Sequence, residues 1–312
     1  MPELPEVETL RRDLERVVIG KTISRAEFLW RKSLRGITSK KFNTQIKNKR
    51  ITAIERRAKI LSFELENGLK IAVHLKMTGQ LIFTPRGVTF KPAKVTPRGE
   101  RTGGIPRGLA LAGFKASPHG IVSDSPPVHF RHLRVIFHFT DGAKLYFNDL
   151  RKFGWLKLIS NADWQGFTAH LGPEPLEKDF TLNYFHKILT KYPSRKIKQL
   201  LLDQTLISGI GNIYADESLF ASKILPSRLV NKINDKEKVF LYQNIKKILK
   251  SAITKGGTSI SDYRRADGKA GGFAPYLKVY QRAGEKCLKC ATLITKVKQN
   301  GRGTHYCATC QK

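Results

Sequence analysis

Four cysteines, all within the last 26 residues, set the tightest constraint on what this 312-residue chain can fold into. They read Cys287-x2-Cys290 and Cys307-x2-Cys310, with sixteen residues between the two pairs. Two such knuckles bring four thiolates to the corners of one tetrahedron, the arrangement of structural zinc. A redox dithiol needs only one Cys-x2-Cys, and disulfides are disfavoured in a reducing compartment. The spacing therefore predicts one structural Zn2+ held by Cys287, Cys290, Cys307 and Cys310, with no open coordination position for chemistry.

Charge narrows the partners. Fifty-seven Lys and Arg stand against 25 Asp and Glu, a formal net charge of +32. A surplus of this size predicts a polyanion, because basic side chains that displace counterions from phosphates gain affinity for any sequence. An anionic membrane surface would require a basic amphipathic segment with a continuous apolar face, and none is evident. No apolar run of about 18 residues marks a membrane span. The start Met1-Pro2-Glu3-Leu4-Pro5-Glu6 lacks the charged-then-apolar plan of a signal peptide. A nucleic-acid-binding, cytoplasmic protein is expected.

Periodicity divides the chain. Val7, Leu10, Leu14, Val17 and Val18 recur at helical spacing and Gly20 follows where a helix would stop, so a helix opens the chain. Residues 21–160 read mostly as strand, at 59–65, 69–74, 80–84, 133–139 and 144–147, with Asp141-Gly142 as a hairpin turn. Short strands separated by turns predict a two-sheet antiparallel β-sandwich. Residues 86–128 are rich in Pro, Gly, Lys and Arg and read as an insertion between strands. Helical periods return at 182–190, 195–202, 212–221 and 236–254, followed by a glycine-rich basic loop, 256–273. The expected class is α+β: residues 1–160 a helix and sandwich, 171–273 a helical domain, 278–312 a zinc ribbon built on a β-hairpin.

The N-terminus offers chemistry of its own. Removal of Met1 would leave Pro2 with a free secondary amine, which attacks an aldehyde-like carbon to give an iminium cation. The positive end of the following helix favours the neutral, nucleophilic amine. Glu3 and Glu6 stand close enough in sequence to move a proton. Pro and Glu are also ordinary choices for a first helical turn, so this pattern by itself leaves both readings open.

Met1-Pro2-Glu3-Leu4-Pro5-Glu6-Val7-Glu8-Thr9 resembles the N-terminal signature of bacterial formamidopyrimidine-DNA glycosylases. Further stretches resemble motifs of that family, in family order: Arg56-Arg57-Ala58-Lys59, His74-Leu75-Lys76-Met77-Thr78-Gly79, Leu171-Gly172-Pro173-Glu174-Pro175-Leu176, Gly209-Ile210-Gly211-Asn212-Ile213-Tyr214-Ala215, and Gly301-Arg302-Gly303-Thr304-His305-Tyr306-Cys307. The likeness spans nearly the whole chain outside 85–128. It implies base excision repair of double-stranded DNA carrying oxidised purines or abasic sites, with β,δ-elimination at the abasic sugar; a chain with its nucleophile at one end and its clamp at the other needs no symmetry, so a monomer is expected.

The resemblance also implies roles. Pro2 would be the Schiff-base nucleophile, Glu3 the proton donor and acceptor, and Lys59 an aid to elimination. Arg302 would bind the flanking phosphates and assist the second elimination. Glu6 would border the lesion pocket. Met77, Arg151 and Phe153 would fill the space left by a flipped nucleotide, the physical need being to recover lost stacking. Asn212 would grip phosphate from a helix-two-turn-helix element, with Arg195 and Lys198 as further contacts, and 256–273 would close over the lesion. His129, or His132 in its place, would contact DNA.

Four features depart from the family pattern. Asp149-Leu150-Arg151-Lys152-Phe153-Gly154 stands for Asp-Pro-Arg-Arg-Phe-Gly, Lys76 replaces a usual glycine, and His129-Phe130-Arg131-His132 alters a His-x-His spacing. The insertion 86–128 has no family counterpart. Two other readings remain: an endonuclease VIII-like enzyme for oxidised pyrimidines, and an inactive relative that binds damaged DNA. Leu4 speaks for the purine enzyme, and Pro2, Glu3 and Lys59 against loss of catalysis.

Overall fold

The computed structural model describes residues 1–87 and 132–312, with strand residues 116–117 and 120–121 between them. His129 and nearly all of the insertion lie outside the described residues.

Helix α1 (Leu4–Val18) starts behind Pro2 and Glu3 and buries Leu4, Val7, Leu10, Leu14 and Val18, each 0% exposed. Strand β1 (Thr22–Phe28), the short β2 (Leu34–Arg35), helix α2 (Ser39–Ile46), and strands β3 (Lys49–Arg57), β4 (Ile60–Leu65), β5 (Leu69–His74) and β6 (Gly79–Thr84) follow. After the small pair β7 (Ala116–Ser117) and β8 (Gly120–Ile121) come β9 (Leu133–Phe139), β10 (Lys144–Asp149) and β11 (Trp155–Ser160). The strand order is β2-β11-β5-β4-β3-β1-β9-β10-β6. Two halves of this order meet where β1 pairs with β3 through Thr22–Arg50 and Ile23–Lys49. Among the described residues all pairings are antiparallel except β2 with β11, which run parallel. Side chains from both halves, among them Phe63, Val73, Val135 and Phe147, share one core with α1 and with Phe42 and Ile46 of α2. That layered core is what a two-sheet sandwich requires.

Helix α3 (Asn161–Thr168) leads into the helical part: α4 (Leu182–Lys191), α5 (Ile197–Leu202), α6 (Asn212–Ala221) and α7 (Asp235–Thr254). These surround a second core that includes Phe185, Leu200, Tyr214 and, on successive turns of α7, Ile245 and Leu249. The chain ends in the hairpin β12 (Thr295–Gln299) and β13 (Arg302–Tyr306), flanked by the two cysteine knuckles.

A buried charge network joins the sandwich to the helical part. Glu174, 3% exposed, accepts from both Arg56 and Arg57 and from the Ala58 backbone N–H at 2.8 Å. Arg56 also bonds Glu8 of α1 at 2.9 Å, while Arg57 donates to the carbonyls of Leu171 and Gly172. A carboxylate removed from water needs this many donors to offset its desolvation. The network fixes the end of β3, and therefore Lys59, against the α5–α6 segment.

Candidate active site

The centre of the site is the meeting of two helix N-termini. Pro2 and Glu3 precede α1, and Gly211 caps α6. The Glu3 carboxylate, 1% exposed, accepts from the N–H of Gly211 at 2.7 Å and of Ile213 at 2.8 Å. An anion at a helix N-terminus is stabilised by unpaired N–H groups and the helix dipole. The Leu4 N–H returns the contact by donating to the Gly209 carbonyl at 3.0 Å. A Cβ on Gly211 would lie 2.3 Å from Glu3 Cδ, and one on Gly209, at φ +92°, would lie 2.6 Å from Leu4 Cδ1. The glycines of Gly209-Ile210-Gly211 therefore serve the approach of α1 to α6, a role that the sequence pattern did not reveal.

Burial raises the Glu3 pKa, opposed by the Lys59 charge and the α6 N–H groups. The Lys59 ammonium, itself buried, donates to the Ile210 carbonyl at 2.7 Å. Burial lowers its pKa to about 8, against the pull of Glu3 and with the push of Arg302. A lysine so placed gives up its proton far more readily than a solvated one. Glu6 accepts from the Glu3 N–H at 2.8 Å, from the Tyr214 hydroxyl and from the Thr258 N–H at 2.8 Å. Burial first, then the Glu3 charge, pushes its pKa up to about 7. Its carboxyl is thus fully engaged by protein groups and ties α1, α6 and the 256–273 loop together.

Beside this centre opens a cleft of about 440 Å³, lined by Met1, Lys59, His74, Lys76, Trp155 and Arg302 among others. Pro2 itself is buried behind Met1. His74 accepts the Lys76 N–H on Nδ1 at 3.0 Å, and burial with the Lys76, Lys59 and Arg35 charges drives its pKa down to about 3. A neutral imidazole results. His74 was not singled out by the sequence reading, although it heads the His74–Gly79 stretch that carried part of the resemblance.

Met77, Arg151 and Phe153 converge on one exposed ridge. Met77 is 38% exposed and Phe153 50%, and the Arg151 guanidinium sits 4.8 Å from the Phe153 ring centre and 2.9 Å from Met77 Sδ. The fully buried Asp149 shapes the ridge by accepting from the Thr78 hydroxyl and from the Gly154 N–H at 2.6 Å. Lys76 and Lys152 occupy left-handed backbone, φ +53° and +60°. A glycine at position 76, as the resemblance leads one to expect, would take that conformation without the cost a side chain incurs.

The hairpin turn carries Arg302 to the cleft, exposed at the start of β13. Two residues steady it from the helices. Asn212 Nδ2 donates to the Gly303 carbonyl at 2.8 Å, and Lys198 Nζ donates to Thr304 Oγ1 at 2.8 Å while pairing with Asp216 at 2.6 Å. Lys198, 1% exposed, is thus withdrawn from solvent and neutralised. Arg195 lies further out, paired with Asp203 at 3.0 Å, and both line a second basic recess with Arg302.

All four cysteine sulfurs lie within 4.8 Å of one another, with Cys287–Cys310 at 3.9 Å and Cys290–Cys307 at 3.4 Å. A tetrahedron with Zn–S bonds of about 2.3 Å has edges of about 3.8 Å, so the donor set fits one zinc ion. Among the described residues no helix is long and apolar enough to cross a membrane.

Comparison with known proteins agrees with this geometry. Residues 1–156 match the formamidopyrimidine-DNA glycosylase N-terminal domain, 171–264 the H2TH domain of that glycosylase, and 284–312 the zinc finger found in FPG and IleRS. A formamidopyrimidine-DNA glycosylase of Lactiplantibacillus plantarum is 39% identical over 98% of both chains. The structure of Lactococcus lactis Fpg with abasic-site DNA superposes with a TM-score of 0.81 at 32% identity, covering 99% of each chain. The same protein with Fapy-dG DNA gives 0.79 at 32% identity, covering 99% of this chain and all of the other.

Proposed function

The chain belongs to the formamidopyrimidine-DNA glycosylase family, and from that premise we propose how its own residues carry out the reaction. It is a DNA repair enzyme of the base excision type, a glycosylase for oxidised purines and a lyase at the abasic sites that result, with one structural zinc ion. Its partner is duplex DNA carrying such lesions, and it acts as a single chain in the cytoplasm.

With Met1 removed, the Pro2 nitrogen attacks C1′ of the damaged nucleotide, and the N-glycosidic bond breaks with its electron pair leaving on the base. Glu3 donates a proton to the sugar ring oxygen, which opens the ring and leaves an iminium between Pro2 and C1′. The iminium accepts electrons as the C2′ proton departs and the 3′ phosphate leaves. Loss of the C4′ proton with the 5′ phosphate then frees the sugar from the strand and leaves a one-nucleotide gap, and water hydrolyses the remaining iminium to release the sugar from Pro2. The burial of Glu3 against the α6 N-terminus, within the field of the buried Lys59 charge, is the observation that carries this reading. It holds a buried acid beside the N-terminal amine, and burial keeps the proton on that acid to a higher pH than on a solvated carboxyl, so that it is available to donate.

Lys59, poised near pH 8, exchanges protons during the eliminations. Arg302 takes the flanking phosphates and assists the second elimination, with Asn212 and Lys198 holding its hairpin in place and Arg195 extending the basic surface. Neutral His74 offers a hydrogen bond to the same backbone. Met77, Arg151 and Phe153 enter the duplex where the nucleotide has left, and Glu6 borders the lesion pocket through the 256–273 loop.

Incision assays on duplexes with 8-oxoguanine opposite cytosine and with an oxidised pyrimidine test the substrate class. Faster excision of 8-oxoguanine is expected. Preference for the pyrimidine would favour the endonuclease VIII-like reading, and binding without incision of either an inactive relative.

A further inference from the structure

The 256–273 loop, expected from sequence to move, is fastened to the N-terminal part at several points. Its neck is narrow: Phe273 N–H donates to the Gly257 carbonyl at 3.0 Å, and a Cβ on Gly271 would lie 2.4 Å from the Gly256 and Gly257 carbonyls. Beyond the neck, the Phe83 N–H of the edge strand β6 donates to the Ala266 carbonyl at 2.9 Å, and the Gln80 side chain donates to the Asp262 carbonyl. Ala266, 4% exposed, enters the core of the sandwich itself. Tyr263 is buried, its hydroxyl donating to the Glu6 carbonyl at 3.2 Å.

One contact stands apart from these because it joins two charged side chains 252 positions apart. Arg265 Nε and Nη2 donate to the two carboxylate oxygens of Asp13, on α1, at 2.9 and 2.7 Å. The fork-to-fork geometry fixes direction as well as distance. The Asp13 side chain is 12% exposed and that of Arg265 33%. The anchor falls between a stretch over the N-terminus, 258–262, and the return to the neck. Under that stretch, Met1, Ile213, Thr258, Ile260 and Tyr263 enclose a space of only about 40 Å³. A water needs about 10–15 Å³ of such space, so it holds only a few waters while Met1 is present and 258–262 covers it.

We propose that Asp13 and Arg265 are positioning residues for lesion capture. Their ion pair keeps residues 263–266 on the first helix while 258–262 swings out and closes again over a base presented to Pro2. The inference rests on the reading of this loop as the lesion cap, and it assigns the fixed point about which the cap moves. An abasic nucleotide has no base to enclose, so its cleavage does not depend on the anchor.

The test compares Arg265→Gln, Asp13→Asn and the charge-exchanged pair Asp13→Arg/Arg265→Asp with the unsubstituted zinc-loaded chain. Two duplexes are used, one with 8-oxoguanine opposite cytosine and one with a preformed abasic site. Each single variant is expected to lose about fivefold in kcat/KM on 8-oxoguanine, the upper range for one partly exposed ion pair, and to cleave the abasic duplex within about twofold of normal. The exchanged pair is expected to recover most of the loss. Equal losses on both duplexes would mean general damage to the fold and would overturn the proposal, as would no loss on either. Inactivity of the unsubstituted chain on both duplexes would overturn the enzymatic reading beneath it, an outcome distinct from any difference between variants.

Discussion

Replacing Glu6 with Gln should flatten a specific part of the protein's dependence on pH. Glu6 is 1% exposed, and its carboxyl titrates at about 7 against an ordinary value of 4.5. The folded state therefore holds the Glu6 proton more tightly than the unfolded chain does. The stability this provides is fully present below about pH 4.5 and is lost as the pH rises through about 7. At roughly 1.4 kcal/mol per pH unit, that gap corresponds to about 3 kcal/mol. A glutamine stays neutral throughout, so the wild type should lose about 3 kcal/mol relative to Glu6→Gln between pH 4.5 and 8. The amide has one acceptor oxygen for the N–H groups of Glu3 and Thr258, so the variant begins at a constant disadvantage of about 1 kcal/mol. Urea unfolding followed by tryptophan fluorescence suits the measurement, because Trp30, Trp155 and Trp164 all lie in the sandwich or in α3, which packs against it. A difference between the two proteins that stays constant from pH 4.5 to 8 would refute the reasoning, since Glu6 would then titrate alike in both states.

Three further outcomes are expected. Glu174→Gln removes the charge shared by Arg56 and Arg57 and should cost about 3 kcal/mol in the urea unfolding free energy, the lower end for breaking a buried ion pair; a cost below about 0.5 kcal/mol would show the network to be incidental. Gly211→Ala places a methyl 2.3 Å from the Glu3 Cδ, so incision should fall at least about tenfold as the acid is displaced, measured as single-turnover rate on an abasic duplex. Cys287→Ser, or zinc chelation, should weaken duplex binding in a fluorescence titration while the tryptophan-reported unfolding of the sandwich is retained; undiminished binding would contradict the role given to the hairpin and Arg302.

What the sequence made legible followed from local pattern. Helix α6 runs over Asn212–Ala221, the range its periodicity predicts, and α7 differs by one residue at its start. The zinc knuckles needed only spacing. Strand β3 escaped because a register shift between Ile51 and Ala53 buries Ile51 and Ile54, three apart, and breaks the alternation that marks a strand. Helix α2 escaped because eight residues with two buried apolar positions, Phe42 and Ile46, carry too little period to recognise. At the site, Pro2, Glu3 and Lys59 could be proposed from motifs, but their coupling could not. Glu3 finds its donors 208 and 210 positions away, on α6. The sequence offers Lys198 as a phosphate contact, and only the fold brings it to Asp216 and the Gly303–Thr304 edge of the hairpin. Such pairings leave no local trace.

The most direct test of the central claim is covalent. The chain, expressed so that its N-terminus is processed normally, is incubated with an 8-oxoguanine duplex and borohydride, and the trapped complex is digested and mapped by mass spectrometry. The account predicts a reduced adduct on the nitrogen of Pro2, with Met1 absent, and sharply weakened trapping by Pro2→Gly. An adduct on any lysine, Lys59 included, or a retained Met1 in an active enzyme would contradict it.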